Sequence, residues 1–131
     1  MLVELSVLSD HLHLIVEADS SVALSRGVQG LCVRIARALN GALERHGRVF
    51  ADHFHSRLLT SPTTLVNAIR YVLGNAQRHY GRVIMDAFSS ADVENEGVLG
   101  PPRGWLLQRG WPRAPRRLLE ALAGTARYRA V

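Results

Sequence analysis

The sequence contains no lysine; its 16 basic side chains are all arginine, set against 11 acidic ones for a net charge of +5. A basic balance of this size suits nucleic acid, an anionic membrane surface, or nothing more than a GC-rich coding sequence, so charge alone selects no partner. Cysteine is almost missing. Cys32 by itself excludes an intramolecular disulfide and a thiolate metal site, and it fits a reducing compartment. Its place in an apolar helical pattern marks it as a core residue. No apolar run reaches transmembrane length and no signal-peptide pattern opens the chain, which points to a cytoplasmic protein with no membrane partner. Internal repeats are also absent. What is present is a chain of 131 residues, the length of one domain, with a hydrophobic share of 47% that sets it apart from disordered chains.

The stretch that organises the rest is Asp10-His11-Leu12-His13-Leu14-Ile15-Val16. Side chains alternate faces along a strand, so His11, His13 and Ile15 share one face and Leu12, Leu14 and Val16 the other. Strand rise alone sets the two imidazoles about 6.6 Å apart, within reach of one divalent cation. The alternative is two ordinary polar residues on the open face of a sheet. Leu2 to Leu8 is a second alternating run, and Ser9-Asp10 joins the two as a tight turn.

The period then becomes helical. One of Asp19, Ser20 or Ser21 caps a helix over Val22 to Arg45 that ends at His46-Gly47, with Gly47 as cap. Leu24, Val28, Leu31, Ile35, Leu39 and Ala42 form its apolar face. Arg26, Arg34, Arg37 and Arg45 fall within about 100° of one another on a different face, either a solvated surface or a phosphate-contacting stripe. Phe54 to Leu59 is a candidate strand, with His53 and His55 as a second alternating pair and Arg48 and Arg57 flanking them. Ser61-Pro62 starts another helix, running to Gly81, with a buried stripe of Leu65, Ala68, Ile69, Val72, Leu73 and Ala76. Tyr71, Asn75 and Arg78 lie together on its opposite side. An asparagine carbonyl can ligate a hard metal, and a tyrosine hydroxyl can act as a nucleophile. Beyond Arg82 periodicity fades. Phe88 to Ala91 and Gly100 to Gly104 are loop-like, Trp105-Leu106-Leu107 is a short apolar docking turn, and Arg116 to Ala123 is a short final helix.

Taken in order, these segments resemble the IS200-like single-tyrosine (HUH) transposases, and most of all the branch associated with repetitive extragenic palindromes (REP-associated). Val7 to Val16 resembles that family's His-hydrophobe-His strand and Leu24 to Leu31 the start of its following helix. Gly47 to Arg57 resembles its glycine-to-arginine segment and Ala68 to Ala76 its tyrosine helix. Trp105-Leu106-Leu107 with Gly110-Trp111 resembles a C-terminal extension. The likeness covers roughly residues 3 to 111. It implies an α+β fold, a ferredoxin-like or RRM-like antiparallel sheet with helices packed on one face. Residues 1–82 would form the catalytic domain and 83–131 a mostly irregular extension. It also implies that His11, His13 and Asn75 bind Mg²⁺ or Mn²⁺ and that Tyr71 is the catalytic nucleophile. The substrate would be single-stranded or hairpin DNA at palindromic ends, cut through a 5′-phosphotyrosine link, by a protein that often works as a homodimer. Arg26, Arg34, Arg37, Arg48, Arg57 and Arg78 are the candidate DNA-binding residues.

The chain departs from the pattern in three places, the mildest being Ala76 where the family carries a proline after the asparagine, a loss that is harmless in a helix. It opens at what would be the second strand, so the sheet is expected to be short of one strand and one covering helix. Asp10 stands where the family carries asparagine; it either adds a carboxylate near the metal or only closes the turn. Two other classes compete with the enzyme: a nucleic-acid-binding remnant or domesticated DNA-binding protein of the same fold, without catalysis, and a small structural or interaction domain.

Overall fold

The computed structural model describes residues 1–81, 88–90, 92 and 97–122, with backbone alone at 76, 79 and 80. The expected change of pattern after Arg82, the boundary at 82–83 and the end of the final helix at Ala123 lie outside the described residues, as does the side chain of Ala76. The chain is a small α+β fold with two compact units, one of Met1–Glu17 with Leu59–Val131, the other Ala18–Leu58.

In the first unit, β1 (Leu2–Val7) and β2 (Leu12–Val16) form an antiparallel hairpin. The two-residue turn at Ser9-Asp10 is closed by Leu8 N–H donating to the His11 carbonyl at 2.9 Å. The register pairs Ser6 with His13 and Glu4 with Ile15, and a bulge at Val3 turns that residue inward as well. Val3, Glu4, Ser6 and Ile15 are buried, so this face is the inner one. The other face, Leu2, Leu5, Val7, Leu12, Leu14 and Val16, is wholly apolar and half-exposed or exposed.

The outer edge of β1 is occupied. Val7 N–H donates to Phe88 O, Ser90 N–H to Leu5 O and Gly100 N–H to Leu2 O. Ser6 and Ser89 form a bridge. The segment Phe88–Ser90, expected to be a loop, thus acts as an edge partner. Ser90 Oγ accepts from Leu5 N–H and lies in hydrogen-bond contact with the buried carboxylate of Glu4. Among the described residues no strand pairs with the outer edge of β2.

Helix α2 (Pro62–Leu73) packs on the inner face. Ser61 caps it: its Oγ accepts from Thr64 N–H at 3.2 Å, and Thr64 Oγ1 accepts from Ser61 N–H at 3.1 Å. These bonds satisfy donors at the exposed end of the helix, and Pro62 supplies a preset φ. Leu65, Val66, Ile69 and Val72 are buried against Val3 and Ile15. Val66 is the one buried position that the expected stripe omits.

The helix expected to run unbroken to Gly81 turns at Gly74, after which α3 (Asn75–Tyr80) begins. Gly74 N–H still bonds Arg70 O, but a Cβ at Gly74 would sit 3.0 Å from that same carbonyl. Gly81, at φ 65°, closes α3.

The C-terminal segment covers the far side of α2. It starts as a π-helical turn (Leu106–Gly110), continues as a 3₁₀ turn (Trp111–Arg113) and ends in α4 (Arg116–Glu120). Leu106, Leu107, Trp111, Leu118 and Leu119 pack on the core, and Ala114 and Leu122 are buried in it. The Glu17 carboxylate ties its start to the hairpin by accepting from Arg103 N–H and Gly104 N–H, both at 2.8 Å.

The second unit contains one long helix, α1 (Ser21–Ala42), capped by Ser20, whose Oγ accepts from Ala23 N–H at 3.1 Å. It ends earlier than the apolar period suggests. Leu43 is its C-cap, Glu44 turns left-handed at φ 48°, and Gly47 (φ 98°) lies beyond the helix rather than capping it. No residue of α1 is fully buried, so Cys32 is half-buried and not a core residue. The candidate strand Phe54 to Leu59 does not form. A strand needs a neighbour for its backbone donors and acceptors, and this unit contains no other strand. Among the described residues no helix is long and apolar enough to cross a membrane.

Candidate functional site

The hairpin turn places His11 at the corner of the sheet, one residue before β2 begins. Asp10 Oδ1 meets His11 Nδ1 at 2.6 Å, so this carboxylate orients the ring. Asp10 sits in the closing turn and holds the His11 ring by Nδ1, leaving Nε2 as the other ring nitrogen. A carboxylate on the far nitrogen of a histidine is the usual support for a metal-binding imidazole.

Because His11 lies outside the regular strand, its ring leans toward His13. The two ring centroids are 4.8 Å apart, edge to face, rather than separated by the full strand repeat. On the other side of His13 lies Tyr71, with ring centroids 5.1 Å apart and planes at 90°. The contact follows from the packing. Ile69 and Val72 of α2 are buried on the inner face of the hairpin, and this brings Tyr71 over the strand position that faces Ser6.

Tyr71 remains 44% exposed, so its hydroxyl-bearing ring stays open to solvent. The Arg78 guanidinium, one turn into α3, stands 5.3 Å from the centre of its ring. Asn75 is buried, contrary to its expected place on an open polar face; the turn at Gly74 swings it inward.

Among the described residues, Nε2 of His13 and Nδ2 of Asn75 are buried without a hydrogen-bond partner. A buried polar group without a partner costs free energy, and such orphans concentrate where a further group belongs. Rotating the Asn75 amide by half a turn presents its carbonyl oxygen in place of Nδ2, a hard-metal donor. The pKa of His13 is lowered, first by burial and then by the charge of His11, which keeps the imidazole neutral and its lone pair available. Among the described residues no three His, Cys, Asp or Glu side chains converge as a metal-holding group, so any third donor to the histidine pair would be of another type. The amide of Asn75 has the right chemistry.

The other candidates belong to the second unit. Arg26, Arg34 and Arg37 are exposed on α1, and Arg57 is exposed in an irregular segment of the same unit. Arg45 Nη2 donates to Arg48 O and Arg48 Nε donates to Phe50 O, so these two guanidinia brace the loop that follows α1. His53 and His55 are exposed, and the strand that would have aligned them is absent. Glu4 and Ser90, buried together beside β1, carry no signal in the sequence beyond one charge inside an apolar run. No protein-family model matches the chain, and neither a curated protein nor a solved structure matches it.

Proposed function

We propose that this protein is a metal-dependent single-tyrosine transposase or single-strand endonuclease of the IS200-like, REP-associated kind, acting on single-stranded or hairpin DNA. The observation that carries the reading is the contact of Tyr71 with His13, with His11 beside them. A tyrosine on a helix and a histidine pair at the start of a strand, far apart in sequence, are packed ring to ring. The hairpin with α2 on its inner face is compatible with a ferredoxin-like or RRM-like layer, and the outer edge of β2 would take a further strand of such a sheet.

In this reading Tyr71 Oη attacks a phosphodiester phosphorus. The new Oη–P bond forms as the bond to the 3′ oxygen breaks, and the phenol proton is lost while the departing oxygen gains one as a 3′-hydroxyl. The phosphotyrosyl link keeps the strand's 5′ phosphate activated for rejoining. A Mg²⁺ or Mn²⁺ ion on His11, His13 and Asn75 would polarise the phosphate. Asp10 fixes His11, burial keeps His13 neutral, and Arg78 places a positive charge beside the nucleophile for the phosphate oxygens.

A second reading, a DNA-binding remnant or domesticated DNA-binding protein of the same fold without catalysis, is favoured by the exposed Arg26, Arg34, Arg37 and Arg57, which do not depend on the tyrosine. Covalent capture separates the two. Labelled single-stranded palindromic DNA with Mn²⁺ should give a denaturation-resistant adduct with the native chain and none with Tyr71→Phe. Folded, DNA-bound native protein that gives no adduct would establish the binder instead.

A further inference from the structure

We infer that the C-terminal turns carry a separate binding surface for single-stranded nucleic acid, built around Trp105 and Arg113. The segment holds two tryptophans with opposite fates. Trp111 packs on the core, whereas Trp105 stays 52% exposed. Trp105 is nonetheless held in place. The Arg113 guanidinium stands 5.1 Å from its ring centre, and the ring lies against Gly110, where a Cβ would come within 2.8 Å of Cζ3 and 3.1 Å of Cε3. The π-helical turn and its buried glycine therefore shape a seat for an indole that faces solvent.

The surroundings are cationic. Arg103, Arg109, Arg113 and Arg117 are exposed, and among the described residues none of them has a carboxylate partner. Two acids of the described residues are engaged elsewhere: Glu17 accepts from backbone N–H groups, and Glu120 pairs with Arg116 at 3.1 Å. An aromatic plate with one guanidinium against it and further exposed arginines along the same segment matches a chain of alternating bases and phosphates, in which a base stacks and the flanking phosphates meet arginine. Only a single strand offers the face of a base. A lipid surface fits less well, because the neighbouring Leu106 and Leu107 turn inward to the core and leave one indole without an apolar patch. The inference rests on the proposed function only in taking the strand to be DNA.

The test is anisotropy titration of the full-length chain with a labelled, unstructured oligothymidylate. Trp105→Ala should weaken binding about tenfold. Arg109→Gln and Arg113→Gln should each flatten the salt dependence by about 0.7 in log–log slope. If Trp105→Ala fails to fold, Arg113→Gln, at an exposed position, decides alone. Unchanged affinity and slope in folded variants would overturn the inference. So would an equal Trp105 dependence for heparin, which has charge but no bases, or a Trp105 dependence seen only with phosphatidylserine vesicles. The capture assay keeps this apart from the function. An adduct with no effect at Trp105 sinks the surface alone, and a tenfold loss at Trp105 with no adduct sinks the enzyme alone.

Discussion

Helices α1 and α2 begin alike, each with a serine whose hydroxyl accepts from a backbone N–H of the first turn, and each shows an apolar stripe at helical spacing. They end in opposite situations. The shorter α2 has four fully buried residues and organises the core of its unit, while α1, at 22 residues, has none. A period in the sequence specifies which side of a helix is apolar; it does not specify that another element comes to cover it. Most helical stability in proteins comes from that covering rather than from propensity.

The largest expected consequence is in the cores. Ile69 is fully buried, and Ile69→Ala should destabilise its unit by about 2–5 kcal/mol, through lost transfer energy and the cavity left behind. The matching truncation on α1, Leu31→Ala, removes a half-exposed side chain and should cost about 1 kcal/mol or less. Urea denaturation measures both, and hydrogen exchange resolved by residue should show α2 amides better protected than those of α1. Equal costs at the two positions would mean that α1 has a covered face after all.

The glycines draw the same contrast with a change of sign. Gly110→Ala drives a methyl into Trp105 and into Leu106, whose Cδ1 would stand 3.0 Å away, so the turn must shift at a cost of about 1–3 kcal/mol. Around Gly30, in the middle of α1, nothing lies within 4 Å of an added Cβ. Gly30→Ala should therefore stabilise the helix by about 0.5–1 kcal/mol, since glycine loses the most backbone freedom in a helix. Thermal denaturation of the two variants should move in opposite directions.

Much of the first unit was legible in the residues. The hairpin, its two-residue turn, the serine-proline start of α2 and most of its buried stripe all follow from local chemistry that acts within a few residues. Tyr71 and the histidines could be singled out as residue types at suggestive spacing. Their meeting could not be read from spacing, because it depends on the angle at which α2 crosses the hairpin. Three readings differ from the structure for reasons of their own. Phe54 to Leu59 has strand composition but forms no strand, Cys32 sits on a stripe that nothing fully buries, and Asn75 falls on the open side only of an unbroken helix, which Gly74 interrupts. Phe88–Ser90 shows the converse: polar, loop-like residues that become structural because β1 offers unpaired backbone groups.

The caps refine the comparison further. Ser61→Ala removes the hydroxyl half of a reciprocal pair of bonds at the start of a packed helix, leaving Thr64 Oγ1 to accept from the backbone N–H at 61, and should cost about 1 kcal/mol of global stability. Ser20→Ala removes one bond at the end of a helix with no buried residue. Its loss should appear as fraying, with faster exchange confined to the first turn of α1 and little change in the denaturation midpoint.

The smallest effect is a slope against pH. His13 lies in the first unit, packed against Tyr71 and beside His11, and its pKa is lowered below the unfolded value of 6.5 by burial and by that second imidazole. Below pH 6.5 the unfolded chain takes up a proton that the folded chain resists. The stability associated with neutral His13 is therefore fully present above 6.5, falls as pH drops through the interval down to the lowered folded value, and levels off beneath it. Urea midpoints taken across that interval should decline for the native chain and decline less for His13→Gln, which has nothing to titrate at this position. Mn²⁺ supplies a second readout of the same proton, because an imidazole must be neutral to bind a metal. A rise in midpoint on adding Mn²⁺ at neutral pH, lost on acidification and absent in His13→Gln, would tie the orphaned Nε2 to a cation. A native slope identical to that of His13→Gln would show that α2 does not hold this ring out of water, and the contrast between the covered and uncovered helices would lose its chemical consequence at the candidate site.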